Sequence, residues 1–330
     1  MSDLFDEGVL SDIQRFIQNH DDFLVVSHVQ PDGDAISSTC AMGLILQHLN
    51  KKFVMLNENE IPKKFHLLQG ANQIKKYSSF KLRQPYKYVI SVDCADYSRM
   101  GKVVQIFSDD VQILNIDHHP TNDGFGILNF IQETSASTTE VLNDVIEFLS
   151  VPWTKELAEC VYAGLLTDTG GFRYSNTTPK VMKLASKLLE HGVNANYYAE
   201  ELLEKFTLSH LALLEKSLST LSFAKNKQIA WMTVTIEDIK QSNASSDDLE
   251  GLINIPRNIY GVEVGLLFKQ VNENQVKVSF RSAGKVNVAE VAQLFNGGGH
   301  ILASGALIEG KVDTVIKIVI HELEKKFHEC

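Results

Sequence analysis

Four short segments of this 330-residue chain gather side chains suited to binding hard cations and moving protons. The first runs His28-Val-Gln-Pro-Asp32-Gly-Asp34. Pro31 and Gly33 permit a tight bend there, so one imidazole and two carboxylates can converge on one side of a turn. The second closes an apolar run with Asp93-Cys94-Ala95-Asp96. The third, Asp117-His118-His119-Pro120-Thr121-Asn122, also follows an apolar run, and the fourth is Thr167-Asp168-Thr169-Gly170-Gly171-Phe172-Arg173. Taken singly, an aspartate at a strand end is an ordinary turn or cap residue. Together they offer at least four carboxylates and up to three imidazoles. Oxygen-rich ligation with some nitrogen suits Mn²⁺, and the thiolate set of structural zinc is missing. Two cations about 4 Å apart, sharing a carboxylate, would activate water and stabilise the oxygens of a phosphoryl group.

Such segments need a scaffold that delivers them to one edge. Residues 23–27, 53–56, 88–93 and 111–117 read as buried strands, and helical patterns follow at 35–49, 137–149, 155–166 and 179–191, the last closed by Gly192. This alternation predicts a parallel α/β sheet, and open sheets of that kind collect ligands beyond the carboxyl ends of their strands. A charged helical pattern over 197–221 reads as a connector. Strands over 229–235, 262–269 and 276–281, short helices near Asp247 and Val288, the Gly-rich segment from Gly297 and a C-terminal helix then predict a smaller mixed α/β domain. The expected division is a catalytic domain over 1–192, a helical connector over 193–221 and a substrate-binding domain over 222–330.

Bulk properties narrow the partners. Lys plus Arg number 31 against 41 Asp plus Glu, a net charge of −10, and no basic tract is present, which argues against long nucleic acid. No apolar run is long enough for a membrane span, and residues 1–19 are acidic and amphipathic rather than a signal peptide, so a cytoplasmic protein is expected. Cys40, Cys94, Cys160 and Cys330 form no Cys-x-x-Cys pair and read as reduced thiols. Successive glycines at Gly297, Gly298 and Gly299 allow inward-turned amides, an anion-binding nest that Arg281 and His300 would complete. Residues 311–330 read as an amphipathic helix for packing or a homodimer contact.

Over nearly its whole length the chain resembles the DHH phosphoesterases, a family named for the triplet seen here as Asp117-His118-His119. The four N-terminal motifs stand in the family's order. Phe280-Arg281-Ser282 and Gly297-Gly298-Gly299-His300-Ile-Leu-Ala303-Ser304-Gly305 resemble its DHH-associated C-terminal domain. Ser37 stands where many relatives have glycine, a small residue in either case. The layout is most similar to the family's nanoRNase and pAp phosphatase group.

The resemblance implies two Mn²⁺, with Mg²⁺ or Co²⁺ as substitutes: His28, Asp32 and Asp93 on one, and Asp34, Asp93, His118 and Asp168 on the other, with Asp93 as the bridge. It places His119 against the scissile phosphate, Asp117 behind a neighbouring histidine, and Arg173 near phosphate. Arg281, Ser282, Gly297, Gly298, Gly299 and His300 would hold the nucleotide, and Tyr97, Phe172 and Tyr174 are candidates to stack on a base. A set distance between cleaving and holding sites would act as a ruler favouring short oligonucleotides. The implied reactions are release of mononucleotides from short RNA and removal of the 3′-phosphate of pAp. Rivals are hydrolysis of linear or cyclic dinucleotide messengers (pApA, pGpG, c-di-AMP), a pyrophosphatase activity ranked lower, and an inactive nucleotide-binding module.

Overall fold

The computed structural model describes residues 2–82 and 84–329, and the chain divides into two compact units, Met1–Lys205 and Phe206–Cys330.

In the first unit, α1 (Ser2–Asn19) precedes β1 (Phe23–Val26), α2 (Gly33–His48), β2 (Phe53–Asn57), β3 (Lys75–Lys76), β4 (Tyr86–Val92), β5 (Phe107–Asp117) and β6 (Leu128–Ile131). Four helices follow: α3 (Thr138–Phe148), α4 (Lys155–Asp168), α5 (Pro179–Glu190) and the short α6 (Ala195–Ala199). All strand pairs are parallel, in the order β3-β2-β1-β4-β5-β6. Alternation along β1 shows why these strands are apolar on both faces. Phe23 and Val25 join a helical core with Ile36, Ile45, Leu142, Val161 and Leu188, whereas Leu24 and Val26 join a second core with Met100 and Val103 of a 3-10 stretch (Tyr97–Ile106). α1 was not expected as a helix, yet it buries Leu10, Ile13, Phe16 and Ile17 in the helical core and lies against β6. β6 is not among the strands that the sequence predicts, because four residues beside glycines carry little period-2 signal.

Helix starts follow their caps: Asp32, Ser137, Thr154 and Thr178 each accept an amide proton at the heads of α2, α3, α4 and α5. The helical stretch expected over 193–221 is broken. α6 runs into a π-helical turn (Glu200–Glu204), and after Phe206 the Thr207 side chain caps a new helix, α7 (Leu208–Ser219). Tyr198 and Leu202 are buried in the first unit's core, and Leu213 in a core of the second.

The second unit continues with β7 (Ser222–Ala224), β8 (Ile229–Val234), α8 (Ile236–Gln241), α9 (Asn254–Arg257), β9 (Val264–Asn272), β10 (Gln275–Ser282), α10 (Val288–Gln293), β11 (Gly298–His300), β12 (Ala303–Glu309) and α11 (Val312–Glu329). Its sheet is ordered β11-β12-β10-β9-β8-β7 and mixed: β8 and β9 are parallel and the other pairs antiparallel. α10 and α11 bury Val288, Val291, Val315, Val319 and Leu323 against Val276, Val278 and Phe280. Cys40, Cys94 and Cys160 are free and buried, and Cys330 lies outside the described residues. No described helix is long and apolar enough to cross a membrane.

Candidate metal centre

β1 and β4 are neighbours at the point where the strand order reverses, with β2 and β3 to one side and β5 and β6 to the other. Loops diverge at such a point and leave a crevice beyond the strand ends. His28 follows β1, Asp93 follows β4, and Asp117, His118 and His119 stand at the end of β5. Asp32 and Asp34 begin α2, and Asp168 is the last residue of α4.

Asp93 stands at the middle of this group. Its side chain is buried, and its backbone takes a left-handed φ of 60°, a conformation that aspartate tolerates better than most residues. Its two oxygens face different partners. Oδ2 lies 3.5 Å from His28 Nε2, and Oδ1 lies 3.7 Å from His118 Nε2 and 3.6 Å from His119 Nδ1. His28 Nε2 is also 3.7 Å from Asp32 Oδ1, and His118 Nε2 is 3.4 Å from Asp168 Oδ2. Donor atoms therefore cluster within 4.8 Å as His28, Asp32 and Asp93, as Asp34, His118 and Asp168, and as Asp93, Asp117, His118 and His119. Asp93 belongs to two of these groups.

The ring orientations agree with ligation. His28 Nδ1 is 2.8 Å from the Val29 carbonyl and His118 Nδ1 is 3.2 Å from the Ser135 carbonyl. A carbonyl only accepts, so each Nδ1 carries a proton and each Nε2 is the ring atom turned toward the carboxylates, where it would give its lone pair to a cation. His119 differs. Its Nδ1 lies 2.8 Å from Asp117 Oδ1, which makes His119 the histidine that Asp117 orients. The Asn122 amide donates to Asp117 Oδ2 (2.6 Å) and to the Cys94 carbonyl (2.9 Å), tying the loop after β5 to the loop after β4.

The charge balance of the bare protein is unfavourable and tests the donor set. Burial, followed by the charges of Asp93 and Asp32, pushes the Asp34 carboxyl well above its ordinary range. Burial and then Asp34, Asp32, Asp93 and Asp117 do the same to Asp168. Burial opposes a charge on His28, but the carboxylates of Asp32 and Asp93 beside its Nε2 outweigh it and raise the imidazole to about 10. Burial likewise opposes the charges of Asp117 and His119, yet their mutual pairing lowers the first and raises the second. Carboxylates that repel one another, with Asp34, Asp93 and Asp117 buried and Asp168 and Asp32 open toward solvent, fit an accessible site for divalent cations.

Two contributors were not anticipated. The amides of Thr138 and Thr139, at the head of α3, donate to Asp34 (2.5 Å to Oδ2 and 3.1 Å to Oδ1). The Thr138 hydroxyl donates to Asp93 Oδ1 at 2.9 Å. Ser137-Thr138-Thr139-Glu140 has the spacing of a helix-capping sequence. Nothing in that spacing says what the helix end faces.

Arg173 is exposed, with its Nε donating to the Gly170 carbonyl, and Tyr97 and Tyr174 are also exposed. In the second unit, Arg281 and Ser282 end β10. The Ser282 hydroxyl is buried and donates to Glu263 Oε1 at 3.0 Å, and that oxygen also accepts the amides of Lys285 (2.6 Å) and Val286 (3.1 Å). The glycine run expected to curl into a nest is instead an extended edge strand, with Gly298, Gly299 and His300 paired to Gly305, Ser304 and Ala303. Close approach explains two of its glycines. A β-carbon on Gly297 would stand 2.3 Å from the Gly305 carbonyl oxygen, and one on Gly299 would stand 2.6 Å from that of Ala303.

A family model described as the DHH family, N-terminal domain, matches residues 22–165, and one described as the DHHA1 domain matches 226–325. A bifunctional oligoribonuclease and PAP phosphatase NrnA from Thermus thermophilus is 34% identical over 288 residues, covering 87% of this chain and 84% of its own. The chain belongs to the DHH family. Another NrnA, from Bacillus subtilis, is 26% identical to this DHH protein across 90% of this chain and 93% of the relative. Among solved structures, an exopolyphosphatase-related protein from Bacteroides fragilis matches the DHH chain with a TM-score of 0.89 and 28% identity over 96% of each.

Proposed function

We infer that this chain is a divalent-metal-dependent phosphoesterase of the cytoplasm that releases mononucleotides from short oligoribonucleotides and removes the 3′-phosphate of pAp. The carrying observation is that Asp93 presents one oxygen to His28 and the other to His118, so one buried carboxylate serves two donor clusters. His28, Asp32 and Asp93 would hold one cation, and Asp34, Asp93, His118 and Asp168 the other; the hard donors favour Mn²⁺, with Mg²⁺ or Co²⁺ as substitutes. Bound there, the cations supply Lewis acidity for water activation and for neutralising phosphoryl oxygens.

The remaining roles belong to the chain itself. Asp117 holds His119 through Nδ1, leaving Nε2 to face a phosphate oxygen. Arg173 adds positive charge for the same group. In the second unit, Arg281 and His300 recognise the nucleotide beside the backbone of Gly297, Gly298 and Gly299, and Ser282 anchors the end of β10 through Glu263. The two NrnA relatives, named for oligoribonuclease and PAP phosphatase activity, support this substrate class. The net charge of −10 supports short substrates over long ones.

The test is product analysis with Mn²⁺ on pAp, RNAs of graded length, linear and cyclic dinucleotides and pyrophosphate, with Asp93→Ala as control. Turnover concentrated on pAp and the shortest RNAs, abolished in the control, is expected. Preference for a cyclic dinucleotide, or nucleotide binding without turnover, would overturn the assignment.

A further inference from the structure

We propose that Thr138 is a positioning residue, its hydroxyl locking the rotation of the Asp93 carboxylate so that the two oxygens stay assigned to different cations. The inference rests on the two-cation reading of the site. A carboxylate on a short side chain turns readily about its last bond, because that torsion is broad rather than three-welled. Serving two clusters at once requires one particular turn, with Oδ2 toward His28 and Oδ1 toward His118. The three histidines around Asp93 lie at longer range than a normal hydrogen bond, His28 at 3.5 Å, His118 at 3.7 Å and His119 at 3.6 Å, so they constrain that turn only loosely.

The Thr138 hydroxyl lies within true hydrogen-bond range of Asp93 Oδ1, and both side chains are buried. A hydroxyl has one proton, so its donation to Oδ1 distinguishes the two oxygens of an otherwise symmetric group. Thr138 is itself buried and tied at its backbone. It is the first residue of α3, Ser137 caps that helix by accepting the Glu140 amide, and the Thr138 amide is spent on Asp34 Oδ2. One residue therefore braces Asp34 through its backbone and Asp93 through its side chain, and these two aspartates come from segments 59 positions apart in sequence (93 − 34).

The consequence is specific to the hydroxyl. Thr138→Val keeps shape and burial but removes the donor, and Thr138→Ser keeps the donor but loses the methyl group. The experiment is Mn²⁺ titration of wild type and both variants by calorimetry, with electron paramagnetic resonance of the loaded proteins. Wild type is expected to bind two Mn²⁺ per chain with the spectrum of an exchange-coupled pair. Thr138→Val should bind the weaker ion roughly 10- to 100-fold less tightly and show isolated Mn²⁺, and Thr138→Ser should resemble wild type. Coupled spectra and unchanged affinities in Thr138→Val would overturn the proposal, as would equal losses in both variants, which would point to packing instead. A wild-type protein binding fewer than two ions would sink the two-cation reading itself, a separate outcome.

Discussion

Gly164 of α4 faces the carboxylate of Asp34 so closely that a β-carbon built on it would stand 2.5 Å from Oδ1, and as close to the Thr139 side chain. Helix α4 can reach α2 and α3 there only because residue 164 has no side chain, although glycine inside a helix costs about 1 kcal/mol relative to alanine.

Gly164→Ala sets those two effects against each other. Propensity alone would stabilise the helix, but a methyl group forced onto a buried carboxylate and a packed threonine costs about 1–3 kcal/mol. The expected result is a lower melting temperature with Mn²⁺ affinity weakened at least tenfold. A variant that melts higher and binds Mn²⁺ normally would show that α4 can withdraw from Asp34 without consequence.

Asp168→Asn should change sign with the metal. In chelator, the substitution removes a carboxylate crowded by burial and by Asp34, Asp32 and Asp93, so it should raise the melting temperature by about 2–4 °C, equivalent to about 1 kcal/mol. Saturating Mn²⁺ should stabilise the wild type by about 2.7 kcal/mol per site at a hundredfold excess over the dissociation constant, and the variant by clearly less. Equal Mn²⁺ stabilisation of both proteins, measured by melts with and without chelator, would remove Asp168 from the ligand set.

The sheet, its parallel sense and the convergence of four polar segments were legible because buried parallel strands leave uninterrupted apolar runs, and His28, Asp93, Asp117 and Asp168 lie at the ends of such runs or helices. The Thr138 and Thr139 amides were not legible, since any residue supplies an N–H and only the tertiary path of α3 aims it at Asp34. Ser282 illustrates the opposite error. A serine beside an arginine at a strand end looks available for phosphate, yet its hydroxyl is turned inward to Glu263.

Ser282→Ala should accordingly act on stability. Loss of a buried hydrogen bond to a charged acceptor is expected to cost about 1.5–3 kcal/mol in denaturant unfolding, while KM for pAp stays within about twofold. A large rise in KM with unchanged stability would return Ser282 to direct substrate contact.

Asp248 contributes an acid-sensitive part of the second unit's stability. Burial opposes its charge, but hydrogen bonds from Thr207, the Ser245 amide and the Ser245 hydroxyl hold its carboxyl below the ordinary value of 3.8. A depressed carboxyl contributes stability that is fully present above that value and is lost as pH falls through the folded-state value. Asp248→Asn should therefore cost about 1–3 kcal/mol at neutral pH, with a gap from wild type that shrinks below pH 3.8. A gap independent of pH would mean that shape rather than charge holds the Thr207 turn.

The order in which the first unit's sheet receives its strands also governs when the centre can exist. Its donors emerge from the ribosome in the sequence His28, Asp32, Asp34, Asp93, His118 and Asp168, so 140 residues separate the first from the last (168 − 28). At about 5–20 residues per second, the nascent chain carries an incomplete constellation for roughly 7–28 seconds. On the two-cation reading, the set of His28, Asp32 and Asp93 is complete 65 residues after His28 (93 − 28), whereas the set with Asp34, His118 and Asp168 waits for the end of α4, so capture of the second ion marks the completion of that helix.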